Sequence, residues 1–384
     1  MPRVFSGSRT ERGEDSLNGV ATTRYDIQLT DTSIAGLKEA QAALTGLLAD
    51  KQRGTFVAPD KVTLGEYLLE EWLPARRTSL RGSTAAAYEQ MIRNYVSPLL
   101  GRMRLQEIDG AMLNRLYAQL LTEGRTETRR NLGPGLAPKT VRNVHGVLTR
   151  AFRDGVRWGR LQRNPCDAAD PPRGQAPEMK AWTATQLRQF TKYTATHRWA
   201  GIWALMATTG MRRGEVLGLR WTDVDLDAGT VTIRSTRIRF GDTIATSTPK
   251  TARGNRTIAI GPATVAALKG WKRVQSSDRM RMGPAWQGVT GLVVTVADGS
   301  AANPEAFSNL FHKLSSAAGL PRIRLHDLRH SYATAALAAG VPVKVLSQRI
   351  GHADVGVTLK VYAHVLPGDD EDAAVRADAL LADP

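Results

Sequence analysis

Leu325-His-Asp-Leu-Arg-His-Ser-Tyr-Ala-Thr334 places His326, Arg329 and His330 at positions i, i+3 and i+4. On a helix these three side chains share one face. Gly351-His352 follows, and then Thr358-Leu-Lys-Val-Tyr-Ala-His364, which carries Tyr362. Far upstream stands Thr209-Gly-Met-Arg-Arg-Gly-Glu215. One tyrosine, two arginines and two histidines in this order suit covalent attack on a DNA phosphate. Tyrosine supplies an oxygen nucleophile. Arginine forks bind phosphate oxygens in bidentate fashion and keep their charge. Histidine donates or accepts near neutral pH.

Each piece also has a plainer reading. The His326 segment mimics a zinc-protease helix, with an acid inside His-x-x-x-His. The acid is Asp327 rather than the longer Glu, and Arg329 would set a cation beside the metal, so zinc is discounted. Thr209–Glu215 suits a simple turn between helices, with Gly210 permitting a sharp change of direction. Read functionally, Arg212 projects into a cleft and Glu215 orients it or caps the next helix. Tyr362 fits a buried tyrosine with a bonded hydroxyl as well as a nucleophile, with Thr358 capping its short helix. Lys250 lies in the turn-rich Thr248-Pro-Lys-Thr-Ala-Arg-Gly-Asn255, between the alternating segments Thr230–Arg234 and Arg256–Ile260. A lysine at such a hairpin tip can enter a DNA groove and protonate a leaving oxygen, if its pKa falls from about 10.4. An exposed loop lysine is the commoner case, and Arg253 competes for the role.

The bulk properties agree with a nucleic-acid partner. The chain has 384 residues, a length that suits two or three domains. Lys and Arg number 52 against 36 Asp and Glu, a net charge of +16. That excess favours a polyanion, DNA or RNA before a membrane, although a basic soluble protein would also show it. The single cysteine, Cys166, excludes an internal disulfide and a cysteine-based zinc site, and reads as small apolar filler. The first residues lack an apolar signal core, and no run approaches the ~18 apolar residues of a membrane span. The expected location is a reducing cytoplasm, associated with the nucleoid.

Periodicity predicts a mainly α chain with a small antiparallel β section, an α+β fold. Tyr25, Ile27 and Leu29 read as a short strand, and Ser33 caps a helix through Leu48. Residues 61–170 read as all-helical. Thr63 caps a helix through Leu73, with Pro74 beyond its end. Ser83-Thr84 opens a second helix to about Tyr95, and Asp109 a third through Leu121. A fourth runs from about Lys139 to Trp158, with Val141, Val144, Leu148 and Phe152 as its apolar stripe. From Leu120 to Pro165 there are ten Lys/Arg against three Asp/Glu. Arg142, Arg150, Arg153 and Arg157 therefore suit either a phosphate-facing surface or a solvated one. After a Pro-rich linker, helices are expected at Thr185–Tyr193 and His197–Thr209, then the two strands, then helices from Pro262 onward. The tail from Gly368 reverses sign, with six Asp/Glu and one Arg.

Together, Thr-Gly-x-Arg212-x-x-Glu215, Lys250, His326-x-x-Arg329, Gly351-His352 and Tyr362 resemble the tyrosine recombinases, specifically phage-type integrases. The resemblance spans roughly residues 55–367. It implies a core-site DNA-binding domain at 61–170 and a catalytic domain at 178–367. Leu37–Leu44 is similar to the helix of a small arm-site-binding domain, here residues 1–55. The resemblance implies that Tyr362 attacks the scissile phosphate, giving a 3′-phosphotyrosyl link and a free 5′-hydroxyl. Arg212 and Arg329 clamp the phosphate and His352 adds a hydrogen bond. His326 manages the tyrosine proton, Lys250 protonates the leaving oxygen, and Glu215 supports Arg212. No cofactor, ATP or metal is implied. The implied partners are double-stranded DNA attachment sites and a homo-tetramer on DNA, passing through a four-way junction. A DNA-bending host factor and an excisionase are the implied accessory proteins. The tail, residues 368–384, would dock on a neighbouring protomer through a helix at Ala373–Leu381. A type IB topoisomerase and a non-catalytic DNA-binding protein are the rival readings.

Overall fold

The computed structural model describes residues 45, 52, 57–125, 133–174, 180–240, 243–247, 255–288, 291–352, 354–362, 374, 375 and 378. The strand and helix expected within residues 1–55, the tail helix at 373–381, Lys250 and Arg253 therefore lie outside the described residues, apart from isolated positions. The chain divides into two compact units, residues 1–174 and 175–384.

In the first unit, α1 spans residues 64–77 and α2 residues 82–100. Thr63 caps α1 with a reciprocal bond to Glu66. The helix does not stop before Pro74 as expected; it runs on to Arg77. The reason is a widened turn at Tyr67–Trp72, where the Leu73 N–H reaches back five residues to the Leu68 carbonyl. A proline placed just after such a turn loses little, because the regular four-residue ladder is already interrupted. The same device recurs in α2. There the Ser97 N–H bonds the Ile92 carbonyl and Pro98 follows, carrying the helix past Tyr95 to Leu100. The start of α2 is Gly82, without a Ser or Thr side-chain cap.

Helix α3 (Gly110–Glu123) is capped by Asp109, whose carboxylate accepts from the Met112 N–H at 2.7 Å. Helix α4 (Pro138–Arg157) buries Val141, Val144, Leu148 and Phe152 completely and leaves Arg142, Arg150, Arg153 and Arg157 exposed. Its buried face meets α1 through two polar contacts. The Tyr67 hydroxyl donates to the Ala151 carbonyl (2.7 Å), and the Trp72 indole N–H to Asp154 (2.9 Å). Cys166 is buried in this core, as its filler reading requires.

In the second unit, α5 (Ala184–Tyr193), α6 (Ala200–Thr209) and α9 (Pro304–Ala317) enclose an aromatic core. Trp203 stacks on Phe307 with centroids 4.7 Å apart, and Trp182, Phe190 and Phe311 surround them. Helix α7 (Arg213–Gly218) follows α6. Strands β1 (Val224–Asp225), β2 (Thr230–Ile233) and β5 (Arg256–Ala259) form an antiparallel sheet in the order β1-β2-β5, with Val231 opposite Ile258. The expected connection between β2 and β5 is not a single tip. A second hairpin, β3 (Thr236–Phe240) and β4 (Thr243–Ser247), intervenes, with Ile238 opposite Ala245. Helix α8 (Pro262–Met282) packs on α6. Helices do not then run on without a break. Residues 286–303 are irregular, with bridges Arg220↔Leu292 and Thr295↔Ala301.

Helices α10 (Leu325–Ala338), α11 (Val343–Ile350) and α12 (Val355–Tyr362) close the unit around a small core of Ala333, Leu337, Leu346, Ile350 and Tyr362. Full burial of one such aliphatic side chain is worth roughly 1.5–3 kcal/mol, so this cluster fixes where the last three helices meet.

Candidate active site

Two left-handed glycines set the frame. Gly210 (φ 63°) ends α6 and Gly351 (φ 67°) ends α11. A side chain at Gly210 would meet the Tyr332 ring at 2.6 Å, and one at Gly351 would meet the Arg256 guanidinium at 2.7 Å. Both turns therefore present backbone carbonyls at close quarters. Arg329, on α10 and only 3% exposed, donates to the carbonyls of Gly210 (2.9 Å) and Ile350. Arg212, at the start of α7, donates to the Gly351 carbonyl at 3.1 Å. The two guanidiniums thus converge on adjacent peptide units of one turn.

Glu215 holds this arrangement from below. Its carboxylate accepts from the Arg212 backbone N–H (2.9 Å) and from the Arg212 guanidinium (2.8 Å). On its other side Arg256, from β5, donates twice, at 3.1 and 2.9 Å. Arg256 also donates to the Arg349 carbonyl at 2.7 Å. Burial alone would raise the Glu215 carboxyl, but Arg256 and Arg212 outweigh it and hold the group below the usual carboxylate range. Arg329 moves the other way. Burial, reinforced by Arg212, lowers its guanidinium pKa.

His352 follows the Gly351 turn, and its Nδ1 pairs with the Thr358 hydroxyl at 2.8 Å. Thr358 is fully buried inside α12, so it braces His352 and does not cap the helix as expected. Burial, with Arg329 and Arg212 nearby, pushes His352 down to about 4. Tyr362, at the end of α12, has no exposed surface. Its hydroxyl lies 2.6 Å from Nδ1 of His330. Burial raises that hydroxyl to about 12, against a smaller lowering by Arg329. His330 is pushed down to about 4, first by burial and then by His326 and Arg329. His326 lies exposed at the rim, its ring perpendicular to that of His330 with centroids 5.2 Å apart. Asp327 is turned away to Arg324, at 2.7 Å, and so does not join the two histidines.

The profile of the phage integrase family matches residues 179–368, and that of the phage integrase N-terminal SAM-like domain matches residues 63–121. The chain belongs to the phage integrase family of tyrosine recombinases. Its function is site-specific DNA recombination of the mobile-element class. A XerC-like tyrosine recombinase of Caldanaerobacter subterraneus subsp. tengcongensis is 28% identical over 364 residues, covering 90% of each chain. The ICEBs1 integrase of Bacillus subtilis is 27% identical over 259 residues, 67% of this chain and 70% of the relative. Among solved structures, the Tn1549 transposon integrase in complex with a circular intermediate DNA superposes with a TM-score of 0.66 at 19% identity. It covers 83% of this chain and 99% of that one. A λ integrase tetramer bound to a Holliday junction gives 0.56 at 15% identity, covering 88% and 89%. At these identities the structural likeness speaks for the fold alone.

The integrase fold gathers Arg212, Glu215, Arg329, His352 and Tyr362 within one set of linked contacts, with His326 at the edge. Two participants were missed from sequence. His330 was visible on the His326 face but was given no part, and it, not His326, touches the nucleophile candidate. Arg256 was read only as the start of a strand, and nothing in its neighbourhood signals that it reaches Glu215, 41 positions away. In the first unit, Arg150 donates to the Tyr88 hydroxyl (2.6 Å) and Arg157 pairs with Asp154 (3.0 Å). Among the described helices none is long and apolar enough to cross a membrane.

Proposed function

We propose that this integrase cuts DNA through Tyr362, whose hydroxyl attacks a scissile phosphodiester, leaving a 3′-phosphotyrosyl bond and a free 5′-hydroxyl. Arg212 and Arg329 bind the non-bridging oxygens and offset the charge that develops on them. His352 supplies a further donor, held in place by Thr358. His326 sits at the rim, where it can donate to the same phosphate. Lys250 is the candidate acid for the departing 5′-oxygen. The covalent link conserves the phosphoester energy, so the reverse attack by a 5′-hydroxyl from a second duplex needs no ATP. The observation that carries this reading is the convergence of two guanidiniums on one turn, with the Tyr362 hydroxyl in the field of one of them.

The reading extends to the partners. Residues 61–170 would bind the core site through the exposed arginines of α4, residues 178–367 would do the chemistry, and residues 1–55 would take an arm site. By analogy with the λ integrase tetramer on a Holliday junction, four protomers would act on two duplexes, their tails (368–384) docking between neighbours. A DNA-bending host protein and an excisionase would set direction. The reaction would place the enzyme with the nucleoid in the cytoplasm.

The test is covalent trapping. Protein is incubated with a random-sequence pool of centrally nicked duplexes in EDTA, and SDS-resistant adducts are recovered and sequenced. The wild type should yield an adduct on a defined sequence, and Tyr362→Phe should bind that sequence without forming one. An adduct that persists in Tyr362→Phe would reject this nucleophile. Sequence-selective binding without any adduct would favour a binding-only protein, and relaxation without strand exchange a topoisomerase.

A further inference from the structure

The proposal concerns the proton of the nucleophile, and it rests on Tyr362 being that nucleophile. A phenol must lose its proton as its oxygen bonds to phosphorus, and at neutral pH it needs an acceptor. His326 is the helical position first expected to serve. It is exposed at the rim, and its contact in the site is the edge-on ring of His330. His330 is one turn further along α10, and its Nδ1 lies 2.6 Å from the Tyr362 hydroxyl. We infer that His330 is a catalytic residue of this recombinase, the group that takes the Tyr362 proton during cleavage and returns it during religation.

The surroundings support an acceptor. Every charged group around the ring except Asp327 keeps His330 in its neutral form: His326 and Arg329 on the same helix, and Arg324 at its start. Asp327 itself is engaged by Arg324. From α12 the facing group is Tyr362, a hydroxyl that remains protonated in this buried setting. A neutral imidazole with its hydrogen on Nε2 leaves Nδ1 free to accept from that hydroxyl. Arg329, which is electrostatically coupled to both rings, is also the phosphate clamp. A bound phosphodiester would cancel part of its positive field and so make His330 more basic at the moment a base is needed. The atoms balance. The tyrosine O–H bond breaks toward Nδ1 while its oxygen bonds to phosphorus, the bond to the 5′-oxygen breaks, and that oxygen takes a proton from the acid on the leaving side. Religation runs each transfer backwards.

The experiment uses full-length protein and the nicked duplex recovered by wild-type trapping, with adduct formation followed under single turnover. His330→Ala should slow cleavage by about 10²–10⁴-fold near neutrality. Its rate should then climb about tenfold per pH unit as hydroxide replaces the base, whereas the wild type stays flatter. His330→Gln can still hold the hydroxyl but cannot take a proton, and should be as slow. Replacing Tyr362 by a fluorinated tyrosine, a stronger acid, should recover much of the rate in His330→Ala and little in the wild type. Equal adduct rates in His330→Ala and wild type would overturn the inference. So would recovery by Gln, a pH-independent loss, or faster cleavage in His330→Ala, which would make His330 a latch that restrains the tyrosine. Absence of any wild-type adduct would reject the tyrosyl reading itself, and this inference with it.

Discussion

Arg256→Met and Arg212→Met remove the two guanidiniums that share Glu215, and the structure assigns them opposite consequences. Arg256 and Glu215 have side chains 8% and 5% exposed, so their pair is fully desolvated. Taking away Arg256 removes two charge-assisted bonds and the brace to the Arg349 carbonyl. Breaking one partner of a buried pair costs about 3–5 kcal/mol. For a unit of this size that corresponds to a fall in Tm of about 6–20 °C. Arg212 is 40% exposed, and an ion pair with that much solvent contact contributes only about 0–1 kcal/mol. Its loss should cost the reaction instead, roughly 10²–10³-fold in cleavage, as expected for one donor to a developing anion.

Paired urea or thermal unfolding and single-turnover cleavage separate the two. The acid side adds an internal check. The Glu215 carboxyl is depressed in the folded protein, so its contribution is full above the unfolded value near 4.5 and fades as pH falls through the folded value. In Arg256→Met much of the compensation is gone, and the buried carboxylate becomes a liability that protonation relieves. The stability gap between wild type and Arg256→Met should therefore narrow below about pH 4.5. If Arg212→Met proved the less stable variant, or the gap widened in acid, the assignment of Arg256 as the buried brace would be wrong.

Further outcomes follow from single side chains. Gly351→Ala imposes a left-handed alanine, worth about 1–2 kcal/mol, and drives a methyl against Arg256; unfolding should show the loss and cleavage should fall at least about tenfold. Arg150→Ala with Arg153→Ala should reduce the slope of log K against log salt by about 0.9 for each phosphate no longer neutralised, and an unchanged slope would leave that face merely solvated. His330 and His352, each pushed down to about 4, should stay neutral in the free protein well below pH 6.5. The unfolded chain takes up those protons first, so stability present above pH 6.5 should be lost as pH falls toward 4, and NMR titration of the two rings checks the assignment.

What was legible in the sequence depended on range. Helix starts set by local chemistry were readable, as at Thr63 and Asp109, because cap and partner lie three residues apart. The α4 stripe was readable because its period is a property of one helix. The passage of α1 through Pro74 was not, since it depends on a widened turn that no single residue announces. The β3–β4 hairpin was missed because Thr236–Phe240 mixes arginine with apolar residues and resembles its flanking turns. In the site, the arginines and the tyrosine were found by residue type and order. The Arg256 brace and the choice of His330 over His326 depend on how α10 is rotated against α12, and both histidines share the same helical face.

That rotation also explains why the site tolerates its own charge. Arg212, Arg256 and Arg329 bring three positive charges to a region where Glu215 is the paired carboxylate. A fold selected for stability alone would add a second acid, since an unneutralised guanidinium out of water is costly. Here Arg329 is instead satisfied by neutral carbonyls, at Gly210 and Ile350, which supply hydrogen-bond acceptors without cancelling its charge. The same uncancelled field lowers His326, His330 and His352. A phosphodiester seated on Arg212 and Arg329 supplies the missing negative charge, so binding relieves the repulsion among guanidiniums and raises the basicity of the histidines together. Placing an acid beside Arg329, for example by Ser347→Asp on α11 below Ile350, should then raise Tm yet weaken phosphate binding and cleavage; a variant more stable and equally active would show that the charge excess has no part in the reaction.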